Sequence, residues 1–249
     1  MIQRRTLLKS SAAAALGAPA LTGFAQASVT LKFHTFMAPM SNVWLNMHKA
    51  WMDKVEKDSG GRIKFEGYPA MQLGGTPVQL YDQARDGVVD IVWTLPGNTA
   101  GRFPRVEVFE LPFMMNNAEA TSKAYWEYFQ TQCPDEFKET HVIALHVHGP
   151  GMFHSVSKLV KTAADLKGMK VRGGSREVDM ILKEAGASVI SLPSNEIYAA
   201  MQTGACDAGI TSSTSLISFR LEEVSKFLTS GRGKSYWFMF EPLMISKTI

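Results

Sequence analysis

The fold class is decided by residues 76–93, TPVQLYDQARDGVVDIVW. The stretch opens with a threonine and a proline, which favour the N-cap and the first turn of a helix. Its helical part ends at Asp86-Gly87, where glycine provides a stop, and the apolar run Val88–Trp93 follows. A short apolar run directly after a helix is typical of a buried parallel strand. This segment therefore predicts the helix–strand unit of an α/β protein.

The same alternation continues on both sides of this unit. Further strands are predicted at Val29–Phe33, Arg62–Tyr68, His141–His148, Lys170–Arg172, Ala205–Ile210 and Tyr236–Ile245. Further helices are predicted at Val43–Lys57, from Asn117 onward, and at Glu177–Glu184, Ser194–Thr203 and Leu216–Leu228. A tyrosine, a glycine and an aspartate recur with equal spacing at Tyr81, Gly87 and Asp90 and again at Tyr198, Gly204 and Asp207. This repeat favours two lobes of similar build with a ligand cleft between them.

The first 27 residues have the pattern of an export signal. Arg4, Arg5 and Lys9 form a positive start, Ser10–Leu21 is small and apolar, and Ala25-Gln26-Ala27 matches a small-x-small cleavage site. The sequence leaves open whether the route is twin-arginine or general secretion. We expect residues 1–27 to be an export signal and the mature chain to be periplasmic, with no segment inserted in the membrane.

Removal of this signal balances the charge of the chain. The whole sequence has 26 basic and 23 acidic residues, and the signal carries three of the basic residues and no acidic residue. A neutral chain has no overall attraction for nucleic acid or for an anionic membrane surface. We therefore expect neither as a partner.

The sequence contains no GxSxG, GxGxxG or GxxxxGK[ST] pattern and no carboxylate pair that suggests acid–base catalysis. We therefore expect no enzymatic activity, no cofactor and no metal. A metal-dependent secreted enzyme remains the alternative, because His146, His148 and His154 are close in sequence. Cys133 and Cys206 can pair in an oxidising compartment or remain buried thiols, and their spacing leaves both open.

Arg172 is the strongest candidate for a ligand contact. It ends the predicted strand Lys170–Arg172 and precedes Gly173-Gly174. Parallel sheets bind ligands beyond the carboxyl ends of their strands. A guanidinium group there can hold a carboxylate with two parallel hydrogen bonds. The alternative is an arginine in a surface loop.

The segment around Arg172 resembles a known signature. Residues 164–172, ADLKGMKVR, are similar to the D-L-K-G-[LM]-K-[IV]-R motif of the solute-binding proteins of TRAP transporters, the DctP-type family. Four further motifs of that family are matched in order by Tyr68-Pro69 with Gln72-Leu73-Gly74, by Asp86–Asp90, by Phe109–Phe113, and by Glu196–Gly204 with Asp207.

This resemblance implies a function and an architecture. Such proteins capture a small solute, usually an organic acid, in the periplasm and deliver it to a membrane permease driven by an ion gradient. The implied fold has two α/β lobes that are joined by crossing strands and close around the ligand. We assign residues 28–149 and 236–249 to the first lobe and residues 150–235 to the second. The arginine of the signature, here Arg172, is implied to form the salt bridge to the ligand carboxylate.

Other implied pocket positions differ from the residues known in other members of the family. They are Phe36, Leu95, Met152, Ser194 and Thr211. With Trp93, the apolar members of this set predict apolar walls around one charged anchor, which suits a compact aromatic or hydrophobic carboxylate. Family members usually continue beyond the position of Ile249, so we expect the second lobe to be incomplete at this C-terminus.

Overall fold

The computed structural model describes residues 27–113, 115, 117–231 and 240–249. Its strands, in chain order, are β1 (Val29–Thr35), β2 (Ile63–Tyr68), β3 (Ile91–Trp93), β4 (Thr140–Val147), β5 (Gly151–Ser155), β6 (Lys170–Arg172), β7 (Ser188–Ile190), β8 (Ala208–Ser212), β9 (Phe227–Thr229) and β10 (Phe240–Ser246). Its α-helices are α1 (Ala50–Asp58), α2 (Leu80–Arg85), α3 (Ala118–Gln132), α4 (Arg176–Glu184), α5 (Ile197–Gln202) and α6 (Ser215–Ser218).

Short helical turns of other types join these elements. A π-helix, Trp44–Lys49, leads directly into α1. Turns of 3₁₀-helix are formed by Pro77–Gln79, Pro96–Thr99, Val106–Glu110, Ala163–Leu166, Ser194–Glu196 and Leu221–Glu223. The described residues include no helix with the length and apolar character that crossing a membrane requires.

The strands form two five-stranded sheets. The first has the order β2-β1-β3-β10-β4, and the second has the order β7-β6-β8-β5-β9. In each sheet three neighbouring strands are parallel. The fourth strand, β10 or β5, runs antiparallel to both of its neighbours. The chain leaves the first sheet after β4, builds the second, and returns to the first as β10. The α/β class predicted from the sequence is confirmed.

The repeated tyrosine–glycine–aspartate spacing has a structural counterpart in both sheets. The Asp90 carboxylate, just before β3, accepts the backbone N–H of Lys32 in β1 at 2.7 Å. The Asp207 carboxylate, just before β8, accepts the backbone N–H of Lys170 in β6 at 2.8 Å. Each aspartate therefore joins the start of one strand to the neighbouring parallel strand. Both strand pairs point their carboxyl ends towards the space between the sheets.

The predicted helix at Leu216–Leu228 is wrong. The chain forms the short α6 there, turns through Arg220, whose φ is +57°, continues in the 3₁₀-helix Leu221–Glu223, and ends in the strand β9. β9 pairs with β5 at the edge of the second sheet. The apolar residues of this stretch have helical spacing, but pairing with a free sheet edge determines the structure of its second half.

Two predicted strands are shorter or shifted, and other predictions lie outside the described residues. The strand after α2 begins at Ile91 rather than Val88, and β8 begins at Ala208 rather than Ala205. The export signal, apart from residue 27, and residues 236–239 of the last predicted strand lie outside the described residues. Cys133 and Cys206 are both buried free thiols.

Candidate functional site

A narrow cavity lies between the two sheets, beyond the carboxyl ends of their parallel strands. It encloses about 30 Å³. The first sheet and its loops contribute Phe36, Met37, Val43, Trp93, Leu95, His148 and Glu241. The second sheet and its loops contribute Arg172, Ser194, Thr211, Ser212, Thr214, Ser215, Ser218 and Phe219. One wall is therefore mainly aromatic and apolar, and the other carries hydroxyl groups around an arginine.

Arg172 is fixed in the second wall by hydrogen bonds from its own guanidinium group. Nε donates to the carbonyl oxygen of Leu192 at 3.0 Å, and Nη1 donates to the carbonyl oxygen of Ile210 at 3.2 Å. Nη2 donates to Ser194 Oγ at 3.0 Å. These bonds use three of the five N–H donors of the side chain. Within the described residues, one donor on each terminal nitrogen is left for a further acceptor.

The surroundings of Arg172 favour an anion beside it. The side chain is 2% exposed, and burial lowers its pKa to about 10, so it remains charged at neutral pH. Its acceptors are two carbonyl groups and one hydroxyl group, all of them uncharged. A buried charge with only neutral acceptors gains strongly from a hydrogen-bonded counter-ion.

The position of Arg172 depends on a close approach of two elements. Arg172 in β6 is paired with Gly209 in β8. A Cβ atom on Gly209 would lie 2.2 Å from Ile197 Cδ1 in α5. A residue without a side chain at this position therefore allows α5 to pack against the strand that supports Arg172.

The hydroxyl groups of the second wall form a connected hydrogen-bond network. Thr211 Oγ1 lies 2.7 Å from Ser215 Oγ, and Ser212 Oγ lies 2.9 Å from the same atom. Ser212 Oγ is also 2.7 Å from Thr214 Oγ1. Hydroxyl groups both donate and accept, so this network can reorient towards a bound polar group.

The apolar wall is built from an aromatic ring just after β1 and another at the end of β3. Phe36 and Trp93 are stacked, with ring centroids 5.6 Å apart and an interplanar angle of 29°. Leu95 is buried beside them. These side chains provide a flat, water-excluding surface of the kind that accepts another ring.

Trp93 is held by a buried chain of polar groups. Its indole Nε1–H donates to His146 Nε2 at 3.0 Å, and His146 Nδ1 lies 3.1 Å from Glu241 Oε2. Because Nε2 accepts, the proton of the neutral imidazole is on Nδ1 and points to the Glu241 carboxyl. Burial lowers the pKa of His146 to about 4, which keeps this imidazole neutral.

The structure brings together six of the seven site residues that the sequence predicted. Phe36, Trp93, Leu95, Arg172, Ser194 and Thr211 all line the cavity. Met152 does not line it. It lies in β5 opposite Thr211, on the strand next to the cavity wall.

Several lining residues were not predicted, including His148, Ser212, Ser215, Ser218, Phe219 and Glu241. The run of five hydroxyl residues from Thr211 to Ser215 is the one signal that pointed to some of them. Glu241 gave no such signal, because a single acidic residue in an extended segment is normally exposed.

The three histidines considered as metal ligands have different surroundings. His146 is bonded to Trp93 and faces Glu241, His148 lines the cavity, and His154 is buried in β5 of the second sheet. The described residues contain no group of three or more His, Cys, Asp or Glu side chains placed to hold a metal ion. This arrangement gives no support to the metal-dependent alternative.

Comparison with known proteins identifies the family. The family model for bacterial extracellular solute-binding proteins, family 7 (DctP), matches residues 34–241. The chain belongs to the DctP family. The α/β, two-lobe fold predicted from the sequence is the fold of the similar solved structures, so the two sheets are the centres of two lobes.

Individual relatives agree with this assignment. A solute-binding protein of Albidiferax ferrireducens is 42% identical over 253 residues, which cover 100% of this chain and 75% of that protein. The TRAP solute-binding protein of Rhodoferax ferrireducens T118, crystallised with copurified benzoate, is 57% identical with a TM-score of 0.86. A marine-metagenome TRAP protein specific for aromatic acids, crystallised with 3-hydroxybenzoate, is 42% identical with a TM-score of 0.86.

This chain is shorter than these DctP proteins. The match covers 89% of this chain and 69% of the benzoate-bound protein, and 89% and 70% for the 3-hydroxybenzoate-bound protein. It spans 55% of a further relative, the outer membrane transporter protein TsaT of Comamonas testosteroni. The relatives described as solute-binding proteins are binding components of transport systems, so the prediction that the chain is not an enzyme is confirmed.

Proposed function

We propose that this DctP protein captures an aromatic monocarboxylate between its two lobes and delivers it to a TRAP-type permease. The observation that carries the proposal is the buried Arg172 guanidinium, which keeps two N–H donors for a further acceptor and lines a cavity with a stacked aromatic wall. A benzoate-like ligand provides the anion for Arg172 and the ring for Phe36 and Trp93. The benzoate and 3-hydroxybenzoate bound to two similar proteins support this ligand class.

Capture requires the lobes to open. The cavity encloses about 30 Å³, whereas a cavity of about 150 Å³ holds one benzene molecule. The walls must therefore separate to admit a ring, and they come from different sheets. Opening and closing of two lobes around a ligand is the hinge motion that such an arrangement allows.

The lobes follow the sheets in this proposal. Residues 28–149 and 236–249 form the first lobe, since they include β1–β4 and β10. Residues 150–235 form the second lobe, since they include β5–β9. The proposed place of action is the periplasm, after removal of residues 1–27, and the proposed partners are the membrane subunits of the permease.

The test is calorimetric titration of the purified protein with benzoate and with matched neutral benzamide. Benzoate should bind with one-to-one stoichiometry, and benzamide should bind far more weakly because it lacks the anion. Arg172→Gln should weaken benzoate binding by about 100-fold or more, because a buried charged hydrogen-bond partner is lost. Arg172→Lys should retain part of the affinity, because it keeps the charge but loses the planar fork.

Arg62→Gln is the matched control, since Arg62 is an exposed arginine at the start of β2. It should leave benzoate affinity unchanged. Equal affinity of the wild-type protein and Arg172→Gln for benzoate would refute Arg172 as the anchor. Failure of the folded wild-type protein to bind any aromatic carboxylate would refute the proposed function.

A further inference from the structure

Glu241 is a buried carboxyl group in a cavity that we propose receives an anion. It lies in β10 of the first sheet and is 9% exposed. Arg172 enters the same cavity from the second sheet. A second acidic group is unexpected in a site for a carboxylate, because like charges repel and burial of a charge is costly. The presence of Glu241 therefore indicates a role other than binding the carboxylate of the ligand.

The position of Glu241 is fixed by His146 on the neighbouring strand. Glu241 and His146 are directly opposite each other on β10 and β4. His146 receives the indole N–H of Trp93 on one ring nitrogen and faces Glu241 Oε2 with the other, at 3.1 Å. The carboxyl group is thus held beside the aromatic wall by a side chain that is itself fixed.

The neighbour of Glu241 provides no positive charge to balance a carboxylate. His146 is neutral, because burial lowers its pKa to about 4. Burial raises the pKa of Glu241 well above its usual value. None of the ion pairs between described residues brings a lysine or arginine to this carboxyl group. A neutral hydrogen-bond donor is therefore a better ligand group for Glu241 than a second anion.

We infer that Glu241 is a specificity-determining residue that binds a hydroxyl group on the ring of the ligand, while Arg172 binds the carboxylate. The ligand class is then a hydroxy-substituted aromatic monocarboxylate. The inference rests on the proposed function and narrows it. A phenolic O–H is a strong donor, and a carboxyl group at the edge of an aromatic wall is placed to accept from a substituent on a ring stacked there.

The experiment compares benzoate with the three monohydroxybenzoates by calorimetric titration. In the wild-type protein, one isomer should bind about 10-fold more tightly than benzoate, as expected for a buried hydrogen bond. Glu241→Leu should abolish this preference, and Glu241→Gln should reduce it. Affinity for benzoate should fall less than affinity for the preferred isomer, because benzoate has no hydroxyl group to lose a hydrogen bond.

Glu119→Gln is the matched control, since the Glu119 side chain is 80% exposed on α3. It should change neither affinity nor preference. Thermal unfolding of each variant shows whether it is folded, and Glu241→Gln, which keeps the size of the side chain, decides the test if Glu241→Leu does not fold.

Two results would overturn the inference while leaving the proposed function intact. One is wild-type binding of benzoate with no preference for any hydroxybenzoate. The other is a preference that survives Glu241→Gln and Glu241→Leu unchanged, which would assign the hydroxyl group to the network at Thr211, Ser212 and Ser215. Failure of every aromatic carboxylate, benzoate included, would refute the proposed function instead.

Discussion

His48 shows how one buried residue links stability to pH. It is 2% exposed and packs against the rings of Phe33 and Trp93, with centroids 5.0 and 4.9 Å away. Neither ring nitrogen has a hydrogen-bond partner among the described residues. Burial lowers its pKa from 6.5 to about 3, so the folded protein holds the imidazole neutral while the unfolded chain protonates it near pH 6.5.

This predicts a loss of stability in mild acid. A histidine with a lowered folded-state pKa contributes its full stability above pH 6.5, and this contribution falls as the pH drops towards 3. The free energy of unfolding should decrease by up to about 1.4 kcal/mol per pH unit for this group. Urea unfolding at pH 5, 6, 7 and 8 should show a flatter pH profile for His48→Leu than for the wild-type protein.

His141→Leu provides the comparison, because His141 is an exposed histidine on β4. It should leave the pH profile unchanged. A wild-type slope that persists in His48→Leu would show that other buried groups, such as His146 and His148, account for the acid sensitivity.

At the scale of elements, the N-terminus of α3 shows what local sequence can predict. Asn117 was predicted to start this helix, and its side chain accepts the backbone N–H of Ala120 at 2.9 Å. The helix then buries Thr121, Tyr125 and Phe129 against the first sheet. A helix cap depends only on residues that are close in sequence, so the sequence predicted where this helix begins. The alternation of strands and helices was predictable for the same reason.

Asn117→Ala should lower the free energy of unfolding by about 1 kcal/mol, because an orphan backbone N–H of the helix loses its acceptor. Asn117→Asp should keep the stability close to that of the wild-type protein, since its carboxylate accepts the same hydrogen bond and favours the helix N-terminus. Chemical denaturation at pH 7 measures both changes. Equal stability of Asn117→Ala and the wild-type protein would show that water replaces the cap.

Elements that depend on distant partners were not predictable. β9 forms because β5 offers it an edge, and the two strands lie far apart in sequence. The cavity likewise depends on residues that are far apart in sequence. Arg172 was found through its strand end and its motif, whereas Glu241 reaches the cavity only because β10 returns to the first sheet. No pattern of neighbouring residues in the sequence shows that β10 returns to the first sheet.

At the scale of the whole molecule, an ion pair between described residues links the two lobes away from the cavity. Arg176 at the start of α4 lies 3.3 Å from Glu107 Oε2, in the 3₁₀-helix Val106–Glu110 that precedes α3. The Glu107 side chain is 6% exposed, and its other oxygen accepts the backbone N–H of Gly101 at 2.6 Å. We expect opening of the lobes to separate Arg176 from Glu107, so that the pair stabilises the closed form.

Arg176→Gln should therefore weaken benzoate binding by about 2- to 5-fold at low salt, the range that a partly exposed ion pair provides. The difference from the wild-type protein should shrink in 1 M salt, where screening acts within about 3 Å. Titrations at both salt concentrations check this, with Arg62→Gln as the control. An unchanged affinity at low salt would mean that the pair forms equally in the open protein.

The position of β10 in the first sheet also affects the order in which the strands can pair during synthesis. The first sheet has the order β2-β1-β3-β10-β4, so β10 separates β3 from β4. A ribosome makes β4 well before β10, and the entire second sheet is synthesised between them. Until β10 emerges, β4 has no neighbour in its sheet and its backbone groups remain unpaired. The first sheet therefore begins to be synthesised before the second sheet but cannot be completed until β10 is made. Long-range pairing of this kind makes folding slow.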